Sequence, residues 1–166
     1  MSQKNLFDQE AITKIKELAE GGFIMLCTDL GSQPFGTCPM NVQQVDESGN
    51  LWFLSGKDSD HNADIANDGA TQILLAKSSS SDYLSLYGQT EILYDKAKVE
   101  ELWSPLHKTW FPGGPTDPNL SLLRFTPSDG YYWDTKNGRM VAFAKMLISA
   151  VTDAQMDDSV QGKIEL

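Results

Sequence analysis

The apolar positions of this chain fall into short, separate runs, and the spacing within each run sorts helices from strands. Between residues 9 and 20, Ile12, Ile15, Leu18 and Ala19 recur every three or four positions. That period predicts an amphipathic helix, with Asp8 as its cap, Phe7 and Ile12 as a hydrophobic staple and Gly21-Gly22 as its end. Residues 23–28 form an apolar strand, followed by the turn Asp29-Leu30-Gly31-Ser32. A second strand is predicted over residues 35–45, broken by Pro39, which points to an edge, a bulge or a backbone turned toward a ligand. Gly49 marks a hairpin turn over residues 46–50. The run Leu51-Trp52-Phe53-Leu54 then reads as a buried strand. Side-chain alternation puts Trp52 and Leu54 on one side of it and Phe53 on the other.

The polar turn Ser55-Gly56-Lys57-Asp58 leads to Ser59, a plausible N-cap for a short helix whose inner face is expected to be Ala63, Ile65 and Ala66. Strands follow at residues 71–76 and 83–94, separated by the polar loop 78–81. Gly88 inside the second suggests a bulge or a close backbone approach. Asp95 caps a helix reaching about Trp103, and Trp110-Phe111-Pro112-Gly113-Gly114-Pro115 is a rigid aromatic loop. Two more strands, 120–125 and 131–133, precede an apolar helix over 140–151. Gly162-Lys163-Ile164-Glu165-Leu166 reads as a short edge strand. No repeat or linker interrupts the order, so residues 1–166 form one domain. About seven strands joined mostly by short turns, with a few helices between, predict a mainly β fold: an antiparallel barrel flanked by helices.

Composition narrows the function. The chain carries 23 acidic and 13 basic residues, a net charge of −10, which argues against nonspecific binding to nucleic acid or an anionic membrane. No apolar run approaches a membrane span, and the first ten residues lack a signal-peptide core, so a cytoplasmic protein is expected. Cys27 and Cys38 fall in strands and read as reduced thiols; with two dispersed histidines they suggest no metal constellation. No nucleophile–base pair stands out, so any chemistry is expected to come from a bound cofactor. The junction at Ser59 is the place for an anion. A helix N-terminus offers unpaired N–H groups and the positive end of a dipole, and Ser55, Lys57, Ser59 and His61 add donors around it. An ordinary strand–turn–helix with an N-cap serine has the same pattern, and both readings of Ser59 stay open.

An ordered set of short motifs spans nearly the whole chain. It runs from Cys38-Pro39-Met40 through Leu51-Trp52-Phe53-Leu54 with Asp58-Ser59, to Tyr83-Leu84-Ser85-Leu86-Tyr87-Gly88. It continues in Leu102-Trp103, Trp110-Phe111-Pro112-Gly113-Gly114, Tyr132-Trp133-Asp134 and the terminal Gly162-Lys163-Ile164-Glu165-Leu166. This set resembles the general stress protein branch of the FMN-binding split-barrel superfamily that includes pyridoxamine 5′-phosphate oxidase. The resemblance implies a six- to seven-stranded antiparallel split β-barrel, a homodimer, and FMN (or FAD) held in clefts between subunits. It implies that Cys38, Pro39 and Met40 lie along the flavin ring, and Phe53, Leu54 and Ser55 near the ribityl chain and phosphate. Ser59 and its neighbours Lys57 and His61 would take the phosphate, and Tyr83 and Trp133 would come from the second subunit.

Two departures accompany the resemblance. Relatives often carry arginine where Cys38 stands and lysine where His61 stands, and the oxidase tends to have arginine at the place of Asp60. The phosphate site has therefore lost formal charge, since a neutral histidine donates one hydrogen bond and carries none. The expected function is a flavin-dependent oxidoreductase acting on an unidentified small molecule. The alternatives are a flavin binder without turnover and a split barrel using a deazaflavin or haem. A true pyridoxamine 5′-phosphate oxidase is not expected, because Arg139 is the only arginine after Arg124 and a substrate phosphate needs more. Trp103, Trp110 and Phe111 are expected to anchor the dimer.

Overall fold

In the computed structural model the described residues are 2–4, 6–135 and 159–165. The predicted helix over 140–151 and Arg139 lie outside them. Helix α1 (Asp8–Ala19) buries Ala11, Ile15, Leu18 and Ala19, while Ile12 is only half-buried. The side chain of Phe7, the other half of the expected staple, is not among those described. Strands β1 (Ser2–Gln3) and β2 (Leu6–Phe7), too short to show a period, precede the helix.

Strand β3 (Phe23–Thr28) pairs antiparallel with β4 (Gly36–Asn41). The expected strand over 35–45 is divided, with β5 (Gln44–Val45) separate. The break falls at Val42, not at Pro39, because Val42 exchanges backbone hydrogen bonds with Gly21 and Gly22 instead of a strand. Pro39 stays inside β4, which pairs with β3 alone, so its missing N–H costs no ladder bond on the free edge.

Strand β6 (Leu51–Gly56) leads into α2 (Asp60–Asn67), then β7 (Ala70–Lys77), β8 (Asp82–Leu93) and α3 (Lys96–Leu102), capped by Asp95. A 3-10 turn (Pro105–Thr109) and a second (Gly114–Thr116) shape the aromatic loop. Strand β9 runs unbroken over Leu120–Thr135, where two strands are predicted. The stretch Thr126-Pro127-Ser128-Asp129-Gly130 looks like a turn, yet β8 pairs with β9 from Leu122 to Trp133 and absorbs Pro127 opposite Gly88, where the register shifts. Strand β10 (Ser159–Glu165) is an interior strand, not an edge: β9 lies on one side, and β1 and β2 pair parallel on the other.

The sheet order is β1-β10-β9-β8-β7-β3-β4, seven strands that curl around the core. The split lies along one edge of β9. Its residues 120–125 pair with β6, and its residues 129–135 pair with β10. The main core fills the curl and includes Leu26, Leu51, Phe53, Ile73, Leu86, Phe125 and Ile164. Each such side chain, fully buried, is worth roughly 1.5–3 kcal/mol. A second cluster of Leu54, Val99, Phe111, Leu120 and Leu122, with Trp52 and Trp103 against it, sits under α3 and the aromatic loop. The alternation predicted for β6 is observed: Leu51 and Phe53 enter the main core, Trp52 and Leu54 the second cluster.

Candidate functional site

The junction between β6 and α2 is built on Ser59, which has extended backbone and caps α2 by accepting from the Asn62 N–H at 3.3 Å. Three of the predicted residues meet here. His61 Nε2 lies 2.7 Å from Ser55 Oγ and 3.1 Å from Ser59 Oγ. Ser55 Oγ donates to Asn62 Oδ1 at 2.6 Å, and Ser59 Oγ donates to the Gly56 carbonyl at 2.7 Å. Asn62 Nδ2 donates to Ser121 Oγ at 3.0 Å, and Ser121 Oγ donates to the Ser55 carbonyl at 3.1 Å. The result is a closed polar network joining β6, α2 and β9.

Asn62 and Ser121 escaped the sequence reading. Helix α2 presents Asn62 and Ile65 inward and leaves Ala63 and Ala66 exposed, so the expected inner face is corrected in all but Ile65. A polar residue on a short helix reads as outward-facing, and only the buried serines of the neighbouring strands draw Asn62 in. Burial pushes the His61 imidazole below its ordinary value, against the pull of the Asp64 and Asp60 carboxylates.

Lys57 shares the turn, but its ammonium sits 4.8 Å from the centre of the Tyr94 ring. Asn119, a second residue the sequence did not flag, braces this turn: its carbonyl accepts from Lys57 N at 2.7 Å and its side chain donates to the Asp58 carboxylate at 2.8 Å. An open cleft of about 300 Å³ lies beside the turn, lined by Lys57, Tyr94, Lys96, Pro115 and Ser121. Lys57 and Ser121 thus belong to both the cleft and the junction.

The other predicted residues form two further groups. Cys38, Pro39 and Met40 lie on β4; Met40 is buried in the main core, Cys38 is half-buried against it, and Pro39 is exposed. Burial pushes the Cys38 thiol up, and among the described residues its Sγ donates to the Pro39 carbonyl at 3.6 Å. Helix α2 covers this strand closely, since a Cβ at Gly36 would lie 2.8 Å from Asp64 Oδ2. Tyr83 and Trp133 are direct cross-strand partners on β8 and β9, and Tyr131 packs on Trp133 at 4.6 Å between ring centroids. Phe53 is wholly buried and Leu54 nearly so; of the β6 candidates only Ser55 joins the network.

Tyr83 belongs to an exposed apolar face on the outside of the sheet. Phe23 and Met25 of β3, Leu74 of β7 and Tyr87 of β8 share it, while the alternating residues Ile24, Leu26, Ile73, Leu84 and Leu86 are buried. Met25 and Leu74 are direct cross-strand neighbours, so the patch is continuous across two strands. Of the three expected dimer anchors, Phe111 is spent in the chain's own second cluster, Trp103 is half-buried against it, and Trp110 is exposed. Among the described residues no cluster of three or more His, Cys, Asp or Glu could hold a metal, and no helix is long and apolar enough to cross a membrane.

Comparison with known proteins agrees with this architecture. The family model described as "Pyridoxamine 5′-phosphate oxidase like" matches residues 10–157. A crystal structure of a candidate general stress protein 26 from Jannaschia sp. CCS1 superposes with a TM-score of 0.74 at 25% identity, covering 93% of this chain and 95% of that one. The general stress FMN/FAD binding protein of Xanthomonas citri is 28% identical, with a TM-score of 0.64 over 75% of this chain and 87% of that one. Protein bli-3 of Neurospora crassa is 28% identical over 116 residues, 62% of this chain. That match spans 56% of the Neurospora protein, a little over half its length.

Proposed function

Since the chain belongs to the pyridoxamine 5′-phosphate oxidase like family, and its fold is the split barrel of the general stress proteins, we propose that it binds FMN as a homodimer and serves as a flavin-dependent oxidoreductase for a small molecule. The observation that carries the reading is the β6–α2 junction, an anion-suited helix N-terminus, in a chain 28% identical to an FMN/FAD binding protein. The donor set fits a phosphate. The first-turn N–H groups of α2 and Lys57 would hold it, joined by His61 when its ring is protonated, while the Ser55 and Ser59 hydroxyls donate inward and support the site without donating to it. Asp60, in the first turn, opposes the anion and weakens the site. Bound flavin would supply the electron acceptor; this chain's residues bind and orient it.

A second copy suits the exposed sheet face. Phe23, Met25, Leu74, Tyr83 and Tyr87 are large apolar side chains left bare on one surface, and Tyr83 and its partner Trp133 are the residues expected to reach a flavin across the dimer. A flavin carrier without turnover is the second reading. It is favoured by Cys38, the only thiol on the strand expected along the ring, because burial pushes that thiol up, away from the reactive thiolate. A cytoplasmic location fits either reading, since FMN and small-molecule reductants are available there.

The absorption spectrum of the purified protein tests the proposal. The two bands of an oxidised flavin, in the near-ultraviolet and the blue, support it, and a single intense haem band in the violet refutes it. Bleaching by NADH or NADPH, with reoxidation by an added acceptor over many cycles, separates enzyme from carrier. Light scattering that gives a monomer at micromolar concentration refutes the dimer and the shared site.

A further inference from the structure

We infer that His61 selects the end group of the flavin at the β6–α2 junction: neutral, it presents an acceptor and takes a hydroxyl; protonated, it presents a donor and takes a phosphate. The inference rests on the flavin reading above and deepens it to ligand specificity.

The argument starts from the distances in the network. The orientation of the Asn62 amide follows from Ser121, which gives its one proton to the Ser55 carbonyl at 3.1 Å and so accepts from Asn62 Nδ2. The 2.6 Å separation from Ser55 Oγ is shorter than N–H···O bonds run and normal for O–H···O. The 3.0 Å separation from Ser121 Oγ is the usual N–H···O length. Ser55 therefore donates its one proton to Asn62 Oδ1. Ser59 donates its one proton to the Gly56 carbonyl at 2.7 Å, or to the same Asn62 oxygen at 3.2 Å. Neither hydroxyl has a proton left for His61, and both offer lone pairs to Nε2. The proton of a neutral His61 must then sit on Nε2, donating to Ser55 Oγ at 2.7 Å.

The consequence lies on the other side of the ring. Nδ1 makes no hydrogen bond among the described residues, and in this tautomer it carries a lone pair. A phosphate dianion is an acceptor only, so it meets a lone pair with lone pairs. A ribityl hydroxyl can donate to Nδ1. Protonation turns Nδ1 into a charged donor and reverses the preference.

The charges acting on the ring are the Asp64 and Asp60 carboxylates of its own helix. In the preceding turn, Lys57 lies over Tyr94 and Asp58 accepts from Asn119, while β6 and β9 bring only Ser55 and Ser121 to the network. Burial outweighs the two carboxylates and keeps His61 neutral at neutral pH. Lysine, which relatives often carry here, is a donor at every working pH and has no such switch.

Two measurements test the inference. Long-range 15N–1H NMR of the ligand-free protein reads the tautomer of neutral His61, with the signal assigned by loss in His61→Gln. Nε2–H is expected, and Nδ1–H overturns the inference whether or not flavin binds. Fluorescence titration then compares FMN with riboflavin at pH 5.5 and pH 8. The preference for FMN should fall by about tenfold or more at the higher pH, the span of one charge-assisted hydrogen bond. His61→Gln should lose that fall, since the second ionisation of the phosphate, near pH 6, acts the other way and strengthens its hold on the α2 N–H groups in both proteins. An equal fall in both proteins overturns the inference. If neither flavin binds at either pH, the flavin reading fails, and the selectivity with it, while the tautomer result still stands on its own.

Discussion

Gly88→Ala is the sharpest test of the fold. A Cβ at this position would lie 2.1 Å from the Thr126 carbonyl oxygen, 2.8 Å from Pro127 Cα and 2.9 Å from the Thr126 carbonyl carbon. The nearest of these is about 1.3 Å short of the 3.4 Å where ordinary contact begins. All three atoms are backbone of β9, which is held by β6 up to Phe125 and by β10 from Asp129 on, so the segment between cannot retreat without straining its ladder with β8. Forcing extra volume into a packed interior costs about 1–3 kcal/mol, and a backbone clash belongs at the top of that range. The loss of unfolded-state entropy that favours alanine, about 0.4–1 kcal/mol, offsets little of it. The expected destabilisation is therefore about 2–3 kcal/mol, or roughly 4–12 °C in Tm for a chain of this size. Urea unfolding followed by circular dichroism measures it, with two references. Gly31→Ala, where a Cβ meets nothing within 4 Å, should change stability by less than about 1 kcal/mol. Gly130→Ala, where the closest atom is Leu86 Cδ2 at 2.7 Å, a side-chain terminus rather than backbone, should fall between. A Gly88→Ala midpoint equal to the wild type, with the slope unchanged, would refute the close approach of β8 and β9 at the bulge.

Three other outcomes follow from the geometry. His61→Lys should tighten FMN by about tenfold or more and flatten the affinity between pH 6 and pH 8, as read by fluorescence titration; equal affinities in both proteins would place the phosphate elsewhere. Burial pushes the Asp46 carboxyl up, but hydrogen bonds from the Trp52 and Asn50 side chains and from the Asn50 and Ser48 N–H groups outweigh it and hold it below its ordinary value. Its contribution is present above the unfolded carboxyl value near pH 3.9 and is lost as pH falls through the lower folded value. Asp46→Asn should thus cost about 1–2 kcal/mol at pH 7 and progressively less below about pH 4. Phe111→Ala should cost about 3 kcal/mol or more by thermal unfolding, because Phe111 fills the second cluster, while its exposed neighbour Trp110→Ala should stay within about 0.5 kcal/mol.

The local elements were legible in the sequence wherever a period or a punctuation residue was strong. The inner repeat of α1, the alternation of β6, the Ser59 and Asp95 caps and the strain-free role of Gly88 at a bulge all follow from residue chemistry within a few positions. The junction that suits an anion was visible for the same reason, since a strand, a polar turn and a capped helix are contiguous in the chain.

What needed tertiary structure is what depends on partners far away in sequence. Strand β9 is continuous only because β8 pairs with it on both sides of Pro127 and carries that residue through, and β10 is interior only because the N-terminal β1 and β2 come to lie beside it. Phe111 reads as an interface anchor until α3 and β9 are seen to enclose it. The candidate site shows the same division. Ser59 and His61 announce themselves, but Asn62 and Ser121 do not, because a buried amide and a buried serine gain meaning only from each other, 59 residues apart. Their hydrogen bonds decide which nitrogen of His61 carries its proton. Sequence determines that a histidine stands at the mouth of the helix, and the packing of β6, α2 and β9 determines what that histidine can accept or donate.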